Sequence, residues 1–486
     1  MSAAPRELPA AAATDEAAEA ARLGTLFARQ RAAFAAQPYP PRAQRSERLA
    51  ALRAALGRHQ DLLAAAMSAD FGGRSAFESK MADVLGPVLE INHARRHLRR
   101  WMRPRRRHTE LLFATNRAAV LYQPKGVVGI VAPWNFPVYL ALGPLIAAIA
   151  AGNRALVKMS EYTPRTTLAV RTMLAEVFDE SEVAVIGGAV ATAQAFTALP
   201  FDHLVFTGSP AIGPQVMRAA AQNLTPVTLE LGGKSPVLLA PEADLAAAAR
   251  AVAHGKAFNA GQICVAPDYA LVPEARVAEF AGAVGEAFRA FYPQVAGQAD
   301  YTAIVTDRQH ARLQELLADA RTKGGVVTAA GTAGADRRMP LYVVTQVRDD
   351  MRIAREELFG PILPVIGYRS LDEALEYVNA RPRPLALYPF GFGGGALSRI
   401  LESTHSGGVT VGDWGWHVFN HDLPFGGSGT SGMGSYHGEE GFRELSHQKA
   451  VFWRQRFFPV SLFYPPYGRL VQRLVMRFYL GRPPAR

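Results

Sequence analysis

Between Val127 and Gly233 the sequence repeatedly switches from short aliphatic, β-branched runs to longer segments with helical periodicity. VVGIV, RALVKMS, VAVIGG, HLVFTGS and PVTLELGG read as strands. TPRTTLAVRTMLAEVF, ATAQAFTAL and AIGPQVMRAAAQ read as the helices between them. A β-α-β-α succession predicts a parallel sheet covered by helices. VVGIV is apolar throughout, as a strand buried on both faces must be.

Upstream, three helical patterns fill the first hundred residues: EAAEAARLGTLFARQRAAF, SERLAALRAALGRHQDLLAAAM and KMADVLGPVLEINHARRHLRRWM. Ser46 is expected to cap the second. AVLYQP is a further short strand ahead of VVGIV. A second α/β run follows Cys264, with strand DYALVPE, helices VAEFAGAVGEAFRAF and DRQHARLQELLADARTKG, and strand VVTAAG. Two α/β lobes in one chain predict a cleft between them, with the junction near residues 230–264.

Composition narrows the function. With 49% hydrophobic and 20% charged residues among 486, the chain is globular rather than disordered. Cys264 is the sole cysteine, which excludes an internal disulfide framework and any multi-cysteine metal site; no metal is expected. The net charge of +11 raises nucleic acid or an anionic membrane as partners. Eight arginines lie between Arg95 and Arg107, with no stacking-aromatic motif, zinc finger or helix-turn-helix signature, so nucleic-acid reading is not expected. That run reads as a solvated helix end. The apolar stretch Phe136–Gly152 falls short of a bilayer span and contains Pro137 and Pro144, so a buried helix explains it better. No apolar signal core occurs at the N-terminus, whose first dozen residues read as a frayed Ala/Pro tail. These features predict a soluble protein of a reducing compartment, the cytoplasm. From Phe452 onward the chain is rich in aromatics and arginines, with Arg469, Arg473 and Arg477 at helical spacing. The segment either packs across a partner subunit or rests on a membrane surface.

Several short motifs carry chemistry. Cys264, in NAGQICVAP, sits on a turn between Gly261 and Pro267; it is either packing or a nucleophile, and a nucleophile needs a nearby base or a depressed pKa. Glu230 ends a strand immediately before Leu231-Gly232-Gly233-Lys234, where α/β sheets bind ligands. Its alternative is an ion pair with Lys234. Asn135 stands between two prolines in PWNFP, which would present its amide rigidly to an oxyanion or simply cover the sheet. Gly208, Ser209 and Gly213 open a helix closely enough for a dinucleotide phosphate, and Lys158 with Glu161 could bond a ribose diol. Two other glycine runs, Gly391–Ala396 and Gly427–Gly432, match dinucleotide fingerprints but lie away from Lys158 and Gly208.

Taken in order, PWNFP, KMSE, FTGS, ELGGK, GQIC, EELFGP and LPFGGSGTSGMG resemble the aldehyde dehydrogenase superfamily across roughly residues 20–450. GQICVAPDY and SGMGSYHGEEGFRELSH look most like its class 3 branch, and KMSEYTP looks like the bacterial coniferyl type. The resemblance implies a Rossmann-like cofactor domain (1–108 and 128–231), a catalytic domain (232–420), and a bridging or oligomerisation element with a C-terminal tail (109–127 and 421–486), assembled as a homodimer. It implies oxidation of a hydrophobic aldehyde, aromatic such as coniferyl or long-chain, to its acid. Cys264 would attack the carbonyl, Asn135 and the Cys264 amide would hold the oxyanion, and Glu230 would activate water to release the acid from a thioester. NAD or NADP would take the hydride. The cofactor would be held by Trp134, Lys158, Glu161, Gly208, Ser209, Gly213, Leu231, Glu357 and Phe359; Glu161 favours NAD, although class 3 relatives often accept both. One stretch departs from the family pattern: Gly412-Asp413-Trp414-Gly415-Trp416-His417 places two tryptophans where the aldehyde tunnel is expected. Blocking by them would leave a catalytically impaired protein of structural or membrane-surface role.

Overall fold

Hydrophobic alternation resolves into three sheets. The structure, a computed structural model, describes residues 16–334 and 336–481. The Ala/Pro-rich first dozen residues lie outside the described residues. By its contacts the chain divides into two units, one of Met1–Trp101 with Pro124–Ser446, the other of Met102–Gln123 with His447–Arg486.

In the larger unit, the first sheet contains β3 (Val127–Val131), β4 (Arg154–Lys158), β5 (Val183–Ile186), β6 (His203–Gly208) and β7 (Val227–Leu231). With β15 (Gly432–Met433) the order is β15-β7-β6-β3-β4-β5. The five sequential strands are parallel, as predicted, but β15 pairs antiparallel with β7, bringing Gly432 opposite Glu230. β3 is central, and Val127, Val128 and Ile130 are all buried. The apolar run Phe136–Gly152 forms helix Tyr139–Ala151, buried at every residue, and Gly152 closes it in a left-handed cap. The Arg45 guanidinium donates to the carbonyls of Ala150 and Ala151 at that end (3.0 and 2.6 Å), where the helix dipole favours a cation.

The second sheet runs β10-β11-β12-β9-β8-β13-β14. Its strands are β8 (Pro236–Leu239), β9 (Tyr269–Pro273), β10 (Val326–Ala329), β11 (Tyr342–Thr345), β12 (Ile362–Tyr368), β13 (Ala386–Phe390) and β14 (Gly408–Val409). Only the β10–β11 pair is antiparallel. Successive residues feed two separate cores. Val237, Ala270, Val272 and Tyr388 join one, while Leu238, Tyr269, Leu271 and Leu387 join the other. That is the period-2 signature of a sheet covered on both faces. Among the described residues no helix is long and apolar enough to cross a membrane.

Two local expectations need correcting. Ser46 does not cap a helix: the second helix starts at Arg42 behind Pro41, whose fixed φ of −66° sets the helix start five residues earlier. The arginine run is not a single helix end. Arg95, Arg96, Arg99 and Arg100 ride on helix Gly86–Trp101, whereas Arg105–Arg107 form β1.

The smaller unit is a three-stranded sheet, β1-β2-β16, with β2 at Arg117–Pro124 and β16 at Ser446–Trp453. Arg105 pairs with Val120 across antiparallel β1 and β2. Phe113, Phe452, Phe458 and Phe463 cluster at centroid distances of 5.9–6.5 Å. A terminal helix covers Leu470–Leu480.

Candidate active site

Three strand ends and one strained turn build the site. Asn135 follows β3, Thr207-Gly208-Ser209 ends β6, and Glu230 stands one residue from the end of β7. All open at the carboxyl edge of a parallel sheet, where such folds bind ligands. They line a cavity of about 280 Å³ with Trp134, Gly232, Cys264, Arg312, Glu357 and Phe359.

The turn that carries Cys264 is held in an unfavourable shape. Asn259 and Ala260 have φ of 48° and 51°, and Gly261 follows at 70°. For residues with a β-carbon this costs about 1–3 kcal/mol each and persists only where the surroundings over-determine it. At Gly261 a Cβ would lie 2.6 Å from the Gly360 carbonyl oxygen, so only glycine fits. The restraints are specific. The Asn259 amide N–H donates to Glu78 Oε2 (3.1 Å), and Asn259 Nδ2 donates to the carbonyls of Asn135 and Gln262 (both 3.1 Å). Gln262 donates to the carbonyls of Asn259 and Ala303 and accepts from the Val305 N–H. Ile263 and Val265 are buried while Cys264 is partly exposed, so the thiol opens onto the cavity.

Asn135 is fixed from behind. Arg74 donates to its carbonyl (3.0 Å) and to Asp83 (2.8 Å), and Asp83 accepts from the Val138 and Tyr139 amides. One Asn135 side-chain N–H donates to the Gln262 carbonyl (3.2 Å), leaving the second for a ligand. Glu230 is buried, and neither of its oxygens has a partner. The ion pair proposed for it does not form, because Lys234 is taken by Asp268 and by the carbonyls of Ile353 and Glu356. Burial alone raises the Glu230 carboxyl well above the ordinary range. Burial, with Asp268 next, lifts Glu357 to about 8, although Glu357 accepts from the Gly233 N–H (3.0 Å). The Cys264 thiol is pushed up to about 12 by burial and then by Glu357 and Glu230, opposed by hydrogen bonds from the Cys264 and Val265 amides. Burial and the neighbouring carboxyls thus disfavour the thiolate, so a nucleophilic Cys264 depends on a base.

Cys264 also lines a second, apolar pocket of about 50 Å³ with Phe136, Tyr139, Phe258, Trp414, Phe425 and Tyr436. Leu140 and Cys264 are the residues common to both spaces. Trp414 is buried there, its indole N–H donating to His254 Nδ1 (3.1 Å). Trp416 is 58% exposed and lies outside this pocket, so two tryptophans do not plug it.

Of the nine residues expected to hold a dinucleotide, Trp134, Gly208, Ser209, Glu357 and Phe359 line the larger cavity. Lys158, Glu161, Gly213 and Leu231 do not. Lys158 is buried, donates to the carbonyls of Met159 and Gly188 (both 2.7 Å), and is lowered by burial to about 8. Gly213 lies against the Leu231 side chain. Neither decoy glycine run borders the cavity. The lining fits a dinucleotide. At Gly232 a Cβ would fall 2.2 Å from the Glu357 carboxylate, so glycine keeps a cradle open, and buried Thr207 Oγ1, in the same lining, is unpartnered. Sequence reading missed Arg74, Glu78, Asp83 and Arg312, which carry no local motif. Asn259 and Gln262 lay within the quoted NAGQIC and could have been found there.

Comparison with known proteins places the chain among relatives of the same fold. A sequence model of the aldehyde dehydrogenase family matches residues 9–451. A Pseudomonas aeruginosa protein named "Probable coniferyl aldehyde dehydrogenase" is 49% identical over 459 residues, covering 94% of this chain and 96% of its own. A substrate-bound structure of Staphylococcus aureus AldH superposes with a TM-score of 0.89 at 35% identity, covering 94% of this chain and 99% of the other. The Mycobacterium tuberculosis aldehyde dehydrogenase complexed with NAD+ gives 0.82 at 28% identity, covering 90% and 91%. With its fold and nearly its whole length matched, this chain belongs to the aldehyde dehydrogenase family.

Proposed function

We propose that the protein oxidises a flat, hydrophobic aldehyde of the aromatic, coniferyl-like kind to its carboxylic acid, using NAD or NADP. The observation that carries this reading is the position of Cys264, common to a polar cavity holding Asn135, Glu230 and Glu357 and to a pocket walled by aromatic rings. Rings on several sides favour a planar substrate over a long flexible chain, and the name of the Pseudomonas aeruginosa relative points the same way.

Each step follows from the side chains. A Cys264 thiol at about 12 must surrender its proton to a neighbouring carboxylate, and Glu230, with both oxygens unpartnered, is the acceptor. The Cys264 and Val265 amides stabilise the sulfur anion. Attack on the aldehyde carbon makes a thiohemiacetal, whose oxygen takes the free Asn135 N–H and the Cys264 amide. When bound, NAD(P)+ supplies the hydride acceptor; Trp134, Gly208, Ser209, Glu357 and Phe359 would hold it, with Lys158, Glu161, Gly213 and Leu231 toward its adenosine end. Glu230 releases the thiol's proton to solvent, then takes a proton from water as hydroxide adds to the thioester, and returns that second proton to sulfur as the acid leaves, restoring the thiol. Overall, aldehyde, water and NAD(P)+ give acid, reduced nucleotide and a proton. A raised carboxyl pKa makes Glu230 a stronger base once ionised, so turnover rises with pH.

The domain limits of the family pattern, a homodimer built through the strands of the smaller unit, and a cytoplasmic setting that keeps the lone thiol reduced complete the reading. A panel of aromatic and aliphatic aldehydes, assayed with each nucleotide by absorbance of the reduced cofactor, tests it. Preference for planar aromatic aldehydes, abolished by Cys264→Ala, is expected. Reduced nucleotide formed by Cys264→Ala, or a preference for long saturated aldehydes, overturns it.

A further inference from the structure

The chain's excess positive charge sits in one place. The smaller unit, Met102–Gln123 with His447–Arg486, contains thirteen Lys and Arg residues and one acidic residue, Glu110. Its formal +12 exceeds the +11 of the whole protein, so everything else sums to −1. No aspartate or glutamate follows Glu444.

The terminal helix Leu470–Leu480 adds a second, independent property. It is anchored by Gln472, which is buried and donates to the carbonyls of Leu462 and Tyr464 (2.9 and 3.3 Å). The opposite face holds Leu470, Leu474 and Phe478 at i, i+4 and i+8, with exposures of 65%, 56% and 72%. Arg473 and Arg477, also exposed, run alongside this stripe. Phe457 and Tyr467 are exposed as well. An apolar stripe turned to water and bordered by arginines is the pattern of a helix that lies in a lipid interface. Eleven residues rise only about 16 Å, too little to span a bilayer.

We propose that this helix is an interfacial segment that docks the protein on an anionic membrane surface, its leucines and Phe478 in the acyl boundary and its arginines at the phosphates. Charge selects this occupant. Two copies of this helix face set against each other would oppose their own Arg473 and Arg477, and a nucleic-acid backbone would satisfy the arginines but leave the stripe in water.

Co-flotation of the full-length protein with phosphatidylcholine vesicles, with and without about a third phosphatidylglycerol, provides the test. Binding to the anionic vesicles is expected, at least about tenfold stronger than to neutral ones and lost at high salt. Leu474→Asp with Phe478→Asp should abolish it while leaving aldehyde turnover unchanged, which also shows that the variant folds. Arg473→Gln with Arg477→Gln, which keeps the stripe, should weaken partitioning about fivefold per arginine. Three results overturn the proposal: no binding to anionic vesicles; binding that survives the aspartates and is matched by duplex DNA; or aspartates that dissociate a dimer while vesicles remain unbound.

Discussion

Removing the Asn135 amide isolates one donor with little structural damage. The backbone carbonyl of Asn135 keeps its bonds from Arg74 and Asn259 whatever the side chain is. Truncation in Asn135→Ala costs one neutral hydrogen bond, to Gln262, whose carbonyl still accepts from Asn259 Nδ2 at 3.1 Å. The folding cost is therefore about 1 kcal/mol. In the reaction the loss is larger, because charge develops on the substrate oxygen inside a buried cleft. One such donor is worth about 3–4 kcal/mol in the transition state, a fall of about 10²–10³ in kcat. Stopped-flow absorbance of the reduced nucleotide should place this loss in the first turnover, with KM for the nucleotide unchanged. Urea titration should show the small stability change. A first-turnover rate within threefold of the parent protein, in a variant shown to be folded, would refute the oxyanion assignment.

Glu230→Gln should give one rapid equivalent of reduced nucleotide followed by a steady state slower by at least about 10²-fold, with a hydroxylamine-labile acyl group on Cys264; mass spectrometry after acid quench detects it, and unchanged turnover counts against Glu230 as base. The Glu78 carboxyl, which restrains the Asn259 turn, is raised by burial from 4.5 to about 7. Its stabilising contribution is present below pH 4.5 and is lost as pH rises through 7, so Glu78→Gln should flatten the decline in unfolding free energy across that interval by about 3 kcal/mol. Parallel denaturation profiles for the two proteins would contradict this. Trp414→Phe removes the bond to His254 and widens the aromatic pocket; kcat/KM for bulky non-planar aldehydes should rise about tenfold relative to planar ones, and an unchanged ratio places the specificity elsewhere.

The alternating elements of the first sheet were legible because each strand is short, apolar and punctuated by glycine or proline. For the same reason Asn135, Gly208 and Glu230 could be found: they stand where that punctuation falls. The supporting residues were illegible. Arg74 lies in the short connection after the second helix and Asp83 in a helical stretch, neither with a motif, and their partners Asn135 and Tyr139 come 61 and 56 positions later. Glu78 reaches Asn259 across 181 positions. Ser46 misled because a serine before a glutamate looks like a cap, yet Pro41 had already started the turn. Trp414 and Trp416 read alike in sequence, but they differ by one step of a left-handed Gly415, which sends one indole inward and the other to solvent.

Because Leu140 and Cys264 line both chambers, sulfur borders two separate doors. An aryl electrophile arriving by the aromatic entrance need not wait for the opposite compartment to empty. On the proposed reading, shielding of the thiol by aromatic acids and shielding by nucleotides would be separate locks on one residue, and an irreversible inhibitor entering by the aromatic side would contend with only the first.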